Sequence, residues 1–120
     1  MVSLKKIAEA LKARVFTHAE IAESAVIERL YAGDRMSEIL NEASEGTLLI
    51  SNLANPHLLR VAELMDAPAI CLLNGTDPSG ELVAAADKNM KLLMVSPADM
   101  SGTCRLLSQL PIRGAGLNRS

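Results

Sequence analysis

Aromatic residues are almost missing from this chain. Tryptophan is absent, and Phe16 and Tyr31 are the only others, so aromatics make up 2% of the 120 residues. The core must therefore be aliphatic, and two residues cannot build the stacking shelves or aromatic-lined grooves on which single-stranded nucleic acids are held. Cysteine is nearly as scarce. Cys71 lies inside an apolar run and Cys104 on a helical pattern. They are too few and too far apart for a disulfide scaffold or a zinc knuckle, and both are expected as reduced, buried thiols that act as small hydrophobes. Positive charge is not in excess either: 12 Lys and Arg against 14 Asp and Glu leave a net charge of -2. Such a surface offers nucleic acid or an anionic membrane no counterion-release attraction, so neither is expected as a partner.

Long hydrophobic runs are lacking as well. Apolar stretches such as Thr47 to Ile50 and Ala67 to Leu73 fall far short of the roughly 20 residues of a membrane span. At the amino terminus Lys5 and Lys6 are followed by Glu9, Lys12 and Arg14 rather than by an apolar block; no secretory signal is expected, and the location expected is cytoplasmic. Phosphate cradles of the G-x-x-x-x-G-K-[ST] and G-x-G-x-x-G types do not occur, nor does a G-x-S-x-G nucleophile elbow. His18 and His57 are far apart and have no cysteine near them in sequence, so no metal spacing arises and no metal or cofactor is expected.

What is present is a pattern of alternating strands and helices. With 49% hydrophobic and 22% charged residues, the chain has the composition of a globular domain, and its length suits a single one. Ser3 is placed to cap a helix whose apolar positions Leu4, Ile7, Ala8 and Leu11 follow the i, i+3, i+4, i+7 template. Val15 and Phe16 suggest a very short strand. Ala25 to Ala32 fits strand or helix, and its β-branched content with Gly33 behind it favours strand. Asp34 then caps a predicted short helix with Met36, Ile39, Leu40 and Ala43 on one face, closed by Gly46.

From Thr47 onward the pattern repeats. Asn55-Pro56, Asp77-Pro78 and Ser96-Pro97 each follow an apolar run and pair a capping residue with proline, the residue favoured in the first turn of a helix. The expected elements are strand Thr47 to Ser51, helix Pro56 to Met65, strand Ala69 to Leu73, helix Pro78 to Lys88, strand Lys91 to Val95 and helix Pro97 to Gln109. Strands joined by helices that return to the same sheet are parallel. Runs such as Leu48-Leu49-Ile50 and Ile70-Cys71-Leu72-Leu73 have the continuous apolar character of strands covered on both faces. Leu58, Val61, Ala62 and Met65 share one helical face and Leu82, Ala85 and Ala86 another. A solenoid is disfavoured by the irregular spacing and the missing leucine ladder. The Gly-, Arg- and Asn-rich stretch from Ile112 reads as frayed, which puts the domain at residues 1–113 and a flexible tail at 114–120.

The order Ala32-Gly33-Asp34-Arg35-Met36-Ser37-Glu38-Ile39-Leu40, Thr47-Leu48-Leu49-Ile50-Ser51, Asn55-Pro56-His57 and Ala69-Ile70 resembles the DRTGG domain family, and in particular its small stand-alone members. The resemblance runs from about Lys5 to Arg113. The string Asp-Arg-Thr-Gly-Gly itself is absent and Asp34-Arg35 is the only Asp-Arg pair, so no binding motif is carried over. The resemblance implies a three-layer αβα sandwich with a mainly parallel sheet, like the amino-terminal domain of HPr kinase/phosphorylase, and a non-catalytic role. Domains of this family accompany regulatory CBS pairs in some pyrophosphatases, precede catalytic domains in some phosphotransacetylases and occur alone near iron-only hydrogenase genes. In several settings they form dimers, so a homodimer or a partner protein is expected.

Candidate ligand contacts sit just past the carboxyl ends of the predicted strands: Ser51, Asn52 and Asn55; Asn74, Gly75, Thr76 and Asp77; Ser96 and Asp99. Open parallel sheets bind ligands there, where helix amino termini present N–H groups. The same residue types also suit caps and turns, and Asn55, Asp77 and Ser96 are read as caps first. Ser51, Asn52, Asn74, Gly75, Thr76 and Ser96 remain the ligand-binding candidates. His57, at the start of a helix, is expected as an exposed, neutral first-turn residue. The functional expectation is a non-catalytic regulatory or interaction module that self-associates. The alternative is a sensor of an adenine nucleotide or a phosphorylated metabolite that uses the strand-end loops.

Overall fold

Helix α1, Leu4–Leu11, begins where the sequence places it: the Ser3 hydroxyl accepts from the Lys6 N–H at 3.2 Å, and Leu4, Ile7 and Leu11 form its buried stripe. The computed structural model describes residues 2–32, 46–52, 57–64 and 66–115; the predicted helix after Asp34 and the Asn55-Pro56 junction lie outside these. After α1 come β2, Arg14–Thr17, a one-turn helix α2, Ile21–Ser24, and β4, Arg29–Ala32. The ambiguous stretch from Ala25 is strand, but strand in two pieces. Val26–Ile27 forms β3, which pairs antiparallel with β1, Val2–Ser3, as a separate ribbon, while β4 enters the main sheet.

That sheet has six strands among the described residues, in the order β2-β7-β6-β5-β4-β8. Here β5 is Thr47–Ile50, β6 Ala69–Leu72, β7 Leu92–Val95 and β8 Arg113–Ala115. The ladders β4–β5, β5–β6, β6–β7 and β4–β8 are parallel, and β2 alone runs antiparallel, against β7. The fold is α/β with a mostly parallel sheet, as expected. Strand β8 corrects the expectation of a chain frayed from Ile112. Arg113–Ala115 pairs with Arg29–Tyr31 at the sheet edge, and an edge strand with one neighbour tolerates the glycine that made this stretch look like a tail. Residues 116–120 lie outside the described set.

Period-two alternation splits the sheet residues between two cores. Leu48, Ile50, Cys71, Leu92 and Met94 pack with α1, α2 and Leu107, whereas Leu49, Ile70, Leu72, Leu93 and Val95 pack with Leu58, Leu59, Ala62, Leu82 and Ala86. The first face thus carries α1, α2 and α5, Met100–Leu107; the second carries α3, His57–Leu64, and α4, Gly80–Lys88. This is the three-layer arrangement. Leu48, Ile50 and Ile70 are fully shielded, and each such side chain contributes roughly 1.5–3 kcal/mol relative to an exposed one. Tyr31, one of the two aromatics, is buried in the second core.

The chain advances β5 to β6 to β7 with α3 and α4 on one face, then returns through α5 on the other face to β8 beyond β4. Right-handed crossovers require this change of face when the direction of travel reverses. The connections therefore part between the carboxyl ends of β6 and β7. That is the topological switch point, where open α/β sheets leave a crevice.

Candidate functional site

The crevice at the switch point is closed. In the loop after β6 the Asn74 N–H donates to the Ala98 carbonyl at 2.8 Å, and the Gly75 N–H to the Ser96 carbonyl at 2.9 Å. Asn74 and Gly75 both have positive φ, 64° and 61°, which turns the loop toward the β7–α5 connection. A Cβ on Gly75 would sit 3.7 Å from the Pro97 Cα, so glycine is required here by backbone conformation more than by space. Ser96 is fully buried; its hydroxyl is 2.7 Å from that of Thr103 and accepts from the Ala98 N–H at 3.3 Å.

The expected caps are displaced. Helix α4 is capped by Ser79, which accepts from the Leu82 N–H at 3.1 Å, and α5 by Asp99, which accepts from the Gly102 N–H at 2.8 Å. Asp77 and Ser96 are therefore not the caps, and Pro78 and Pro97 precede the first turns instead of opening them. The reason is local: Ser79 and Asp99 hold extended backbone with side chains three residues from a free helical N–H, so they take the role further along. At Gly102 a Cβ would lie 3.2 Å from the Asp99 carboxylate and 3.1 Å from the Ala98 Cβ; glycine leaves room for that cap.

One strand over, between the ends of β5 and β6, the surface opens. Ser51, Asn52, Leu72, Leu73, Asn74, Thr76, Asp77 and Pro78 line a cleft of about 100 Å³. Four of the six candidates from the sequence, Ser51, Asn52, Asn74 and Thr76, meet there, while Gly75 and Ser96 are in the closed crevice. Ser51 is buried at the floor, its N–H donating to the Cys71 carbonyl at 3.1 Å, and the Asn74 amide donates to the Asn52 side-chain oxygen at 3.3 Å. Asp77 forms the rim, and its carboxylate is 2.9 Å from the Arg14 guanidinium of β2. That guanidinium lies over the Phe16 ring, 5.0 Å from its centroid. The Arg14–Asp77 pairing had no signal in the sequence, because its partners are far apart along the chain and neither belongs to a motif.

The remaining chemistry-bearing groups lie elsewhere. His18, in the turn after β2 with φ 48°, holds the Glu20 carboxylate through Nδ1 at 2.9 Å and the Asp87 carbonyl through Nε2 at 2.8 Å. Both partners accept, which favours the doubly protonated ring; the Asp87 carbonyl first and Glu20 second raise the His18 pKa, and His18 lowers that of Glu20. Burial pushes the Cys71 thiol up to about 12 and raises Cys104 in the same direction. Cys104 is only half-buried, contrary to expectation: the buried positions of α5 are Thr103 and Leu107. His57 is the first residue of α3, and its side chain lies outside the described set. A wider groove of about 390 Å³ runs between α3 and α4, lined by Leu59, Arg60, Glu63, Leu64, Ala85, Lys88 and Asn89. Among the described residues no three His, Cys, Asp or Glu side chains are grouped to hold a metal ion, and no helix is long and apolar enough to cross a membrane.

A solved structure shares this architecture: the crystal structure of the CBS and DRTGG domains of the regulatory region of Clostridium perfringens pyrophosphatase, complexed with the activator diadenosine tetraphosphate. The fold is DRTGG-like. The match has a TM-score of 0.71 at 22% identity and covers 90% of this chain and 46% of that one, so the chain spans under half the length of the regulatory region it resembles. No family model matches the chain, and no curated protein does.

Proposed function

We propose that this chain is a non-catalytic regulatory module that senses a small ligand at the cleft between the ends of β5 and β6 and works as a homodimer. The observation that carries the ligand reading is the convergence of Ser51, Asn52, Asn74 and Thr76 on one opening, while their neighbours close the adjacent crevice. The polar part of the lining consists of hydroxyls, amides and one carboxylate, a set suited to holding a ligand through hydrogen bonds and without a paired nucleophile and base. The regulatory region of similar fold was solved with an adenine dinucleotide activator, which makes adenine nucleotides the first class to test.

Thermal-shift titration with adenine nucleotides tests the sensor reading. A ligand at 100 times its Kd stabilises the folded state by roughly 2.7 kcal/mol. The shift is expected in the unaltered protein and lost in Asn74→Ala; its absence across the nucleotide panel refutes the reading. Light scattering tests self-association, and a clean monomer at tens of micromolar removes that part alone.

A further inference from the structure

We propose that the cleft is a sugar site: it takes the vicinal hydroxyls of a ribose, with the Asp77 carboxylate as their acceptor, and leaves phosphate groups outside. This rests on the cleft being the ligand site and goes on to say which part of the ligand enters it.

An anion would find little to bind here. Among the described residues no Lys, Arg or His lines the cleft, and the Arg14 guanidinium at its rim is already paired with the Asp77 carboxylate. The successive loop N–H groups of Asn74, Gly75 and Thr76, which in another arrangement would cradle a phosphate, donate to the carbonyls of Ala98, Ser96 and Leu73. At the start of α4 the Ser79 hydroxyl already accepts from the Leu82 N–H, so that helix terminus is capped internally.

A diol meets the opposite situation. Two adjacent hydroxyls donate to one carboxylate in charge-assisted hydrogen bonds, and the Asn52 and Asn74 amides and the Thr76 hydroxyl supply donors and acceptors around them. Arg14 engages Asp77 Oδ1 from the β2 side, which holds the carboxylate at the rim. Pro78, Leu72 and Leu73 give an apolar wall for the C–H edge of a sugar. Size agrees. The cleft, about 100 Å³, is well below the roughly 300–1,000 Å³ of pockets that enclose a whole drug-sized ligand, so it suits a fragment such as a sugar edge.

Titration calorimetry of the full chain with ATP, adenosine, 2′,3′-dideoxy-ATP and tripolyphosphate tests this. ATP and adenosine are expected to bind with similar affinity. Dideoxy-ATP, which lacks both hydroxyls, is expected to bind at least about tenfold more weakly, the loss of a single charge-assisted hydrogen bond being the lower bound, and tripolyphosphate not to compete. Asp77→Asn should weaken ATP and adenosine by a similar factor while barely changing dideoxy-ATP. Equal binding of ATP and dideoxy-ATP, or competition by tripolyphosphate, overturns the sugar assignment; if Asn74→Ala still abolishes that binding, the cleft survives as the ligand site. Binding indifferent to both Asn74→Ala and Asp77→Asn, or no binding of any adenine compound, overturns the two readings together.

Discussion

Two neighbouring gaps at the same end of one sheet meet opposite fates. Between β6 and β7, where topology opens a crevice, the loops are joined by two backbone hydrogen bonds, and a buried Ser96–Thr103 hydroxyl pair braces the β7–α5 side. Between β5 and β6, where both crossover helices lie on the same face, a polar cleft remains. The contrast teaches that a switch point is an opportunity set by connectivity, and that the main-chain bonds the loops make decide whether it stays open. Asn74 belongs to both gaps. Its main chain closes one and its side chain lines the other.

The strongest test of this contrast removes the closed gap's hydroxyl pair. Ser96→Ala leaves the Thr103 hydroxyl with only its 3.4 Å bond to the Ala98 carbonyl and takes away the acceptor of the Ala98 N–H, and is expected to cost about 1–3 kcal/mol in denaturant unfolding. The double change Ser96→Ala with Thr103→Val should recover part of that, since both hydroxyls then go together while the Ala98 N–H still lacks its acceptor. In the open gap, Thr76→Ala should stay within about 0.5 kcal/mol of the parent. Equal costs at the two sites would mean that the gaps do not differ as described.

Gly75→Ala probes the loop conformation that joins the gaps. The φ of 61° is one that alanine adopts at a cost of about 1–2 kcal/mol; a neutral result in thermal unfolding would show the turn to be adaptable. Arg14→Ala removes an ion pair whose side chains are 64% and 72% exposed. Screening by water limits that loss to at most about 1 kcal/mol, and salt should reduce it further.

The smallest effect is expected from pH, at a site distant from both gaps. His18 has its pKa raised above its ordinary 6.5, so its stabilisation is complete below that value and fades as pH rises through the raised one. Glu20 is lowered from its ordinary 4.5, so its share is present above that value and fades on acidification. The difference in Tm between the parent and His18→Asn, a residue that also tolerates positive φ, should be largest between about pH 4.5 and 6.5 and shrink on the alkaline side. A difference independent of pH would remove the imidazolium from the account.

The sequence by itself determined the α1 cap at Ser3, the buried strands β5, β6 and β7, their parallel sense and the helices that cover them. These follow from local rules: a cap acts within three residues, and apolar periodicity shows which faces are covered. It also placed Ser51, Asn52, Asn74 and Thr76 at strand ends, because strand ends are set by the same runs. Only the tertiary structure decided which strand-end gap closed, that Ser79 and Asp99 displaced Asp77 and Ser96 as caps, that Arg14 meets Asp77, and that Arg113–Ala115 adds a parallel edge strand. Each of these is a pairing between distant segments or a choice between adjacent polar residues of similar chemistry. Such choices are settled by which hydrogen bonds the assembled chain can complete, and no local pattern encodes that.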